Sequence, residues 1–163
     1  MIAPDKATPI ERYARLAEAG RRAGPAWLNE LAGAANEVFR AQGFPDRRNE
    51  DWRYTTLSKL LEQAWVPAVP NTAVQFSDLD DLLIAGLQSW RIVLVNGRFE
   101  PRLSTLSDLP DGVWVGGLAK ALETHGDRLR LHVGPARAAP AAAFANLTLA
   151  GAADGAAILL DAG

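Results

Sequence analysis

Arg91-Ile-Val-Leu-Val-Asn96-Gly97-Arg-Phe-Glu-Pro-Arg-Leu103 is the stretch at which the chain changes character. A β-branched run meets Asn-Gly and a second extended piece follows; both residues of Asn-Gly tolerate the positive φ that a two-residue hairpin turn demands. The stretch predicts an antiparallel hairpin. The sequence before it is patterned as helix, and the pieces after it mix short strands with helices. The expected fold class is therefore α+β, with an N-terminal helical region over 1–88 and a mixed α/β segment over 89–163.

Upstream of the hairpin, Thr8 as N-cap, Pro9 at the first helical position and Glu11 three residues after the cap predict a helix over 8–19, stopped by Gly20. From Pro25 a second helix carries Trp27, Leu28, Leu31, Ala34, Ala35, Val38 and Phe39 as one apolar stripe and ends at Gly43 and Pro45. Such a stripe is read as core. The charged and aromatic run from Asp46 to Leu57 is expected to enter a helix of roughly 50–64, since Leu57, Leu60, Leu61 and Trp65 recur at helical spacing. Pro67-Ala-Val-Pro70 breaks it and leads through a linker to Thr72. Ser77 as cap, with acids in the following turn, predicts a short helix over 77–88.

Downstream, Asp111-Gly112 precedes a strand over Val113–Val115, and 118–124 reads as helix. Residues 128–133, Arg-Leu-Arg-Leu-His-Val, alternate with the period of a strand, a short helix being the alternative. A helix is expected over Ala141–Leu149, and Asp154-Gly155 turns into Ala156–Leu160, which reads as a buried strand. That strand has no evident neighbour in the last stretch. Either it pairs back on the hairpin region or the native chain continues.

Composition excludes much chemistry. The 163 residues hold 17 Lys+Arg against 19 Asp+Glu and no cysteine, so disulfides, Cys-type zinc sites, thiolate-held clusters and cysteine nucleophiles are all outside this chain's reach. A metal would depend on His125, His132 and carboxylates such as Asp127. In a strand over 128–133, His132 would lie on the side of Arg128 and Arg130, whose charge opposes a cation, so both histidines are read as surface residues. No GxSxG, HExxH or GxxxxGK[ST] motif occurs, and Gly116-Gly117 before a helix start is at most a weak anion nest. Asn146-Leu-Thr148 matches a glycosylation acceptor, without weight in a chain that shows no secretion signal.

The near-balanced charge disfavours a phosphate-backbone partner. One segment keeps that class open: Arg47, Arg48, Trp52, Arg53 and Tyr54 have the composition of a single-strand stacking platform. Asp46, Glu50 and Asp51 offset most of the charge, and the preferred reading is an ion-pair network at a helix start with Trp52 packed inward. Met1-Ile-Ala-Pro-Asp-Lys lacks a basic start and an apolar core, the Arg21-Arg22 pair is followed by no apolar run, and no stretch approaches a membrane span. A cytoplasmic protein is expected. The residues themselves offer no catalytic, cofactor-binding or metal-binding constellation.

Three segments together resemble the N-terminal part of the SufB/SufD family of the SUF iron–sulfur cluster assembly system: Arg48-Asn-Glu-Asp-Trp-Arg-Tyr-Thr-Thr-Leu57, Ile92-Val-Leu-Val-Asn-Gly-Arg-Phe-Glu-Pro-Arg-Leu-Ser104, and Phe144-Ala-Asn-Leu-Thr-Leu-Ala150 with Asp154-Gly155-Ala156. The similarity is to the SufD branch, the SufB branch being the alternative. The third segment departs from the family's usual Ala-Leu-Asn-Thr-Ala ahead of the Asp-Gly. The resemblance implies a longer protein in which Ile158–Leu160 leads into a right-handed parallel β-helix, absent here, so that this chain would be a truncated piece. It implies a non-catalytic scaffold subunit with SufB-like and SufC-like partners, the clusters being handled by the complex and ATP by the SufC-like partner. No cofactor, nucleic acid or membrane is expected for this segment, and apolar surface left by the missing domain is expected to promote self-association.

Overall fold

The computed structural model describes residues 7–21, 24–69, 73–134 and 142–161. The linker expected at Pro70–Thr72 and the first residue of the helix expected from Ala141 lie outside them. The chain is α+β, and it divides into two compact units interleaved in sequence, Met1–Pro67 with Arg130–Ala152 and Ala68–Leu129 with Ala153–Gly163. The change of pattern at residue 88/89 is a change of local structure along the chain; packing groups the elements differently, because the helix Ala143–Ala150 is drawn onto the first helices. No helix among the described residues is long and apolar enough to cross a membrane.

The first unit is helical. α1 spans Pro9–Gly20, with the Thr8 hydroxyl accepting the Glu11 N–H at 3.2 Å, as the cap reading requires. α2 spans Ala26–Gln42 and buries Leu28, Ala32, Ala35, Asn36 and Phe39. The stripe thus runs through Ala32 and Asn36, while Ala34 is exposed. Asn36 is tolerable there because its amide donates to Glu18 of α1, which also receives Arg40. α5, Ala143–Ala150, packs on both α1 and α2. Ala17, Ala35 and Ala150 line this seam, and their small side chains let the helices approach closely.

The turn after α2 sets up the aromatic core. Gly43 holds φ +70, and a Cβ there would stand 2.7 Å from Ile10 Cδ1. The positive φ is what calls for a glycine, since the end of the Ile10 side chain could shift. The turn lets Phe44 fold back edge-on between Tyr13 and Phe39, each at 5.0 Å between ring centres, with Phe144 at 5.6 Å. Phe39 is fully buried.

The helix expected over roughly 50–64 does not form as one piece. Glu50–Trp52 is a single 3-10 turn, Thr55 N–H closes onto Trp52 O at 3.0 Å, and α3 is confined to Ser58–Glu62. Tyr54-Thr55-Thr56 interrupts it, since aromatic and β-branched side chains lose rotamer freedom in a helix and threonine hydroxyls compete for backbone bonds. The helix expected over 77–88 is likewise shorter. It is a 3-10 segment, Phe76–Leu82, and the capping carboxylate is Asp78, which accepts the Gln75 N–H at 2.8 Å, in place of a Ser77 cap. Only Leu79 in this segment is buried, so it lacks the apolar face that stabilises a longer helix.

The second unit carries the strands. β1, Leu94–Val95, pairs with β2, Arg98–Phe99, across Asn96 (φ 52) and Gly97 (φ 77), the hairpin turn that the sequence predicts. A bridge between Arg91 and Thr105 extends the hairpin, and Leu103 is buried beneath it. β3, Val113–Gly117, runs straight into α4, Leu118–Arg130. β4, Ala156–Leu160, pairs antiparallel with β3 from Val113↔Leu160 to Gly117↔Ala156 and not with the hairpin.

Two expectations are corrected here. β4 is not buried on both faces: Ala157 and Leu159 face inward, whereas Ile158 and Leu160 are 62% and 60% exposed. Residues 128–133 are not a strand, because α4 continues to Arg130 and a turn follows. A strand would have buried Leu129 and Leu131 on one face, but Leu131 is 82% exposed. Leu129 instead extends the 3-4 spacing of Leu118, Ala121 or Leu122, and His125, so the helical register wins.

Candidate functional site

The N-terminus of α4, directly after Gly116-Gly117, is the place where the sequence offers at most a weak anion nest. Its first two donors are already engaged. Leu118 N–H bonds to Gly155 O at 2.9 Å, and Ala119 N–H donates to Asp154 Oδ1 at 3.1 Å. The other oxygen, Asp154 Oδ2, accepts the Phe99 N–H of β2 at 3.0 Å. One half-buried carboxylate, delivered by the turn into β4, thus caps a 13-residue helix and fixes the hairpin. The positive end of the helix dipole favours a carboxylate at this place. The anion at this helix start comes from within the chain, and it occupies the Ala119 N–H that a phosphate would otherwise meet.

The other candidates are dispersed. His125 sits at a kink in α4 (φ −134, ψ 25), beside Gly126, and its ring meets Trp114 edge-on at 5.2 Å. His132 and Asp127 are exposed. Arg128, expected beside His132 in a strand, instead bonds the Asp161 carboxylate at 2.8 Å and the Leu160 carbonyl, tying the end of β4 to α4. Among the described residues no group of three or more His, Asp or Glu side chains converges as metal ligands do.

Of the basic and aromatic segment, Trp52 is half-buried and packs against the protein. It stacks on Phe144 at 5.3 Å and 27°. Arg47, Arg48, Arg53 and Tyr54 are exposed, with the Arg53 guanidinium 5.6 Å from the Tyr54 ring centre. Asp46 serves the loop backbone, its carboxylate accepting Arg48 N–H at 2.8 Å while its own N–H donates to Asn49 Oδ1 at 3.0 Å. The inward packing of Trp52 follows the preferred reading. The acid in this loop, however, organises an Asx turn where an ion-pair network was expected.

A constellation that local motifs did not reveal lies where α1 meets α3. Within the backbone, Leu60 O of this five-residue helix accepts only the long Gln63 N–H bond, at 3.4 Å, and has capacity for further donors. Tyr13 Oη donates to Leu60 O at 2.7 Å, Trp65 Nε1 donates to the same oxygen at 3.1 Å, and Arg12 Nη2 donates to Leu61 O at 2.6 Å. Burial pushes the Tyr13 hydroxyl above its ordinary pKa of 10.0, against the smaller opposing effects of Trp65 and the Arg12 charge. Because the folded-state value is the higher one, the contribution of Tyr13 is intact below about pH 10 and erodes as pH rises from there through the folded value. Urea titrations from pH 8 to 11 are expected to show this alkaline loss, and Tyr13→Phe to lack it; equal slopes would refute the assignment.

The segments that carry the family resemblance meet in pairs. Trp52 of the first stacks on Phe144 of the third, and Phe99 of the second donates to Asp154 of the third. Their role here is to hold elements together.

Comparisons with known proteins agree with these segments. The family model for the SufBD protein N-terminal region matches residues 6–163. An iron-sulfur cluster assembly SufBD family protein of Synechocystis is 26% identical over 135 residues, covering 83% of this chain and 29% of the relative. The iron-sulfur cluster assembly protein SufD of Escherichia coli is 29% identical over 106 residues, covering 64% of this chain and 23% of that protein. The chain therefore spans about a quarter of the length of these relatives. No solved structure matches it significantly. A match along nearly the whole chain, on residues that the structure shows packed against one another, settles the family: this chain belongs to the SufBD N-terminal region family.

Proposed function

We propose that this protein is a non-catalytic subunit of a SUF-type scaffold for iron–sulfur cluster assembly, of the SufD branch, acting in the cytoplasm with SufB-like and SufC-like subunits. The observation that carries the reading is the family match over residues 6–163. The composition supports it, because a segment without cysteine has no thiolate with which to hold a cluster itself. The chemistry then belongs to residues outside this segment and to partners, with ATP hydrolysis on the SufC-like subunit and clusters passing through the complex as cargo. The described units would serve as the N-terminal lobe of the subunit.

Co-expression of the native gene product with the SufB-like and SufC-like proteins of the same organism tests this. A stable ternary complex is expected, with cluster reconstitution that needs the partners. Failure of the three to co-purify, or a cluster assembled on this protein alone, would overturn the proposal.

A further inference from the structure

The first unit holds a cleft of about 510 Å³ between one face of α1 and the Gln63–Pro67 segment that follows α3. Arg12, Arg15, Leu16 and Ala19 share that helical face, and Trp65 stands opposite, 53% exposed. The aromatic walls have no donors to spare, since Tyr13 Oη and Trp65 Nε1 are both spent on Leu60 O. The cations are different. Among the described residues, Arg15 is exposed with no ion-pair partner, Arg12 Nε–H is buried without an acceptor, and no carboxylate lines the cleft. Two guanidiniums above an apolar floor make a site for a carboxylate carried on an apolar body.

We propose that this cleft docks a short acidic and apolar segment of a partner protein, a carboxylate meeting Arg15 while an apolar side chain lies across Leu16, Ala19 and Trp65. Charge complementarity selects the acid. The apolar surface also continues outside the cleft onto Val66, 80% exposed, a spread that suits a polypeptide better than a small molecule. From Arg12 to Ala19 the face runs about 10 Å along the helix, the reach of roughly three residues of extended chain. This proposal is independent of the cluster-assembly reading, and either can fail alone.

The test titrates the 163-residue chain at low ionic strength with a capped peptide alternating leucine and glutamate, following the Trp65 indole N–H resonance, assigned through Trp65→Phe. Saturable binding is expected, weakened about tenfold by Arg15→Glu, as loss of a charge-assisted hydrogen bond implies, and little changed by the charge-matched Arg47→Glu on an exposed loop. No saturable shift, equal binding of a leucine–lysine peptide, or equal effects of the two variants would overturn the proposal. Saturation by hexanoate as tight as by the peptide would overturn the choice of a polypeptide occupant.

Discussion

Phe39→Ala is expected to destabilise the protein by about 4 kcal/mol, in the range measured for removing a buried phenylalanine. Among the described residues Phe39 is the largest side chain with no exposure, and its ring receives Phe44 edge-on at 5.0 Å, so truncation opens a cavity and also removes an aromatic contact. Its neighbours cannot close the space cheaply. Phe44 is positioned by the turn at Gly43, and Tyr13 is tied through its hydroxyl to Leu60. Against a total stability of roughly 5–15 kcal/mol, such a loss leaves little in reserve. Urea unfolding midpoints would show it, and Phe39→Leu, which keeps most of the volume, is expected to cost about 1.5 kcal/mol. A Phe39→Ala cost below about 2 kcal/mol would mean that the aromatic cluster is not the centre of this core.

The second large effect is expected at Asp154, which the sequence marks only as the first residue of a turn. Asp154→Ala leaves the Phe99 and Ala119 N–H groups without their acceptor at part-buried positions, and with charged acceptors worth about 1.5–3 kcal/mol each the cost is expected near 3 kcal/mol. Asp154→Asn retains one carbonyl oxygen and one acceptor, so about half that loss is expected. The readout is the urea midpoint, with amide hydrogen exchange at Phe99 and Ala119 reporting where protection is lost. If the alanine variant loses less than about 1 kcal/mol, or if alanine and asparagine behave alike, the carboxylate does not bridge the hairpin and the helix as described.

This second case explains much of what the family resemblance means physically. The three segments are far apart in the chain, and each taken alone is an ordinary loop, hairpin or helix. In the structure they are the two sides of the same contacts, Trp52 with Phe144 and Phe99 with Asp154. A pattern that looks like a signature is here a record of packing and of backbone satisfaction. The comparison also shows where local reading fails. For 128–133 the alternation of leucine with arginine suggested a strand, yet the turn before it had already committed the chain to a helix whose buried face reaches Leu129. The same holds for 50–64, where helical spacing at Leu57, Leu60 and Leu61 was real but Thr55 and Thr56 broke its continuity with Trp52.

What the sequence determined by itself is what is local: the Thr8 cap and Pro9 start of α1, the α2 helix with Leu28, Ala35 and Phe39 turned inward, the Asn96-Gly97 turn, and the class of chemistry that a chain without cysteine gives up. Each depends on the conformational preferences of a few adjacent residues, which act in any context. Only the tertiary structure decided the partner of β4, the division into two interleaved units, the intramolecular carboxylate at the start of α4 and the arginine-lined cleft on α1. Those depend on which distant groups are brought within about 3 Å of each other, and hydrogen bonds of that reach are not encoded in the spacing of residues along the chain.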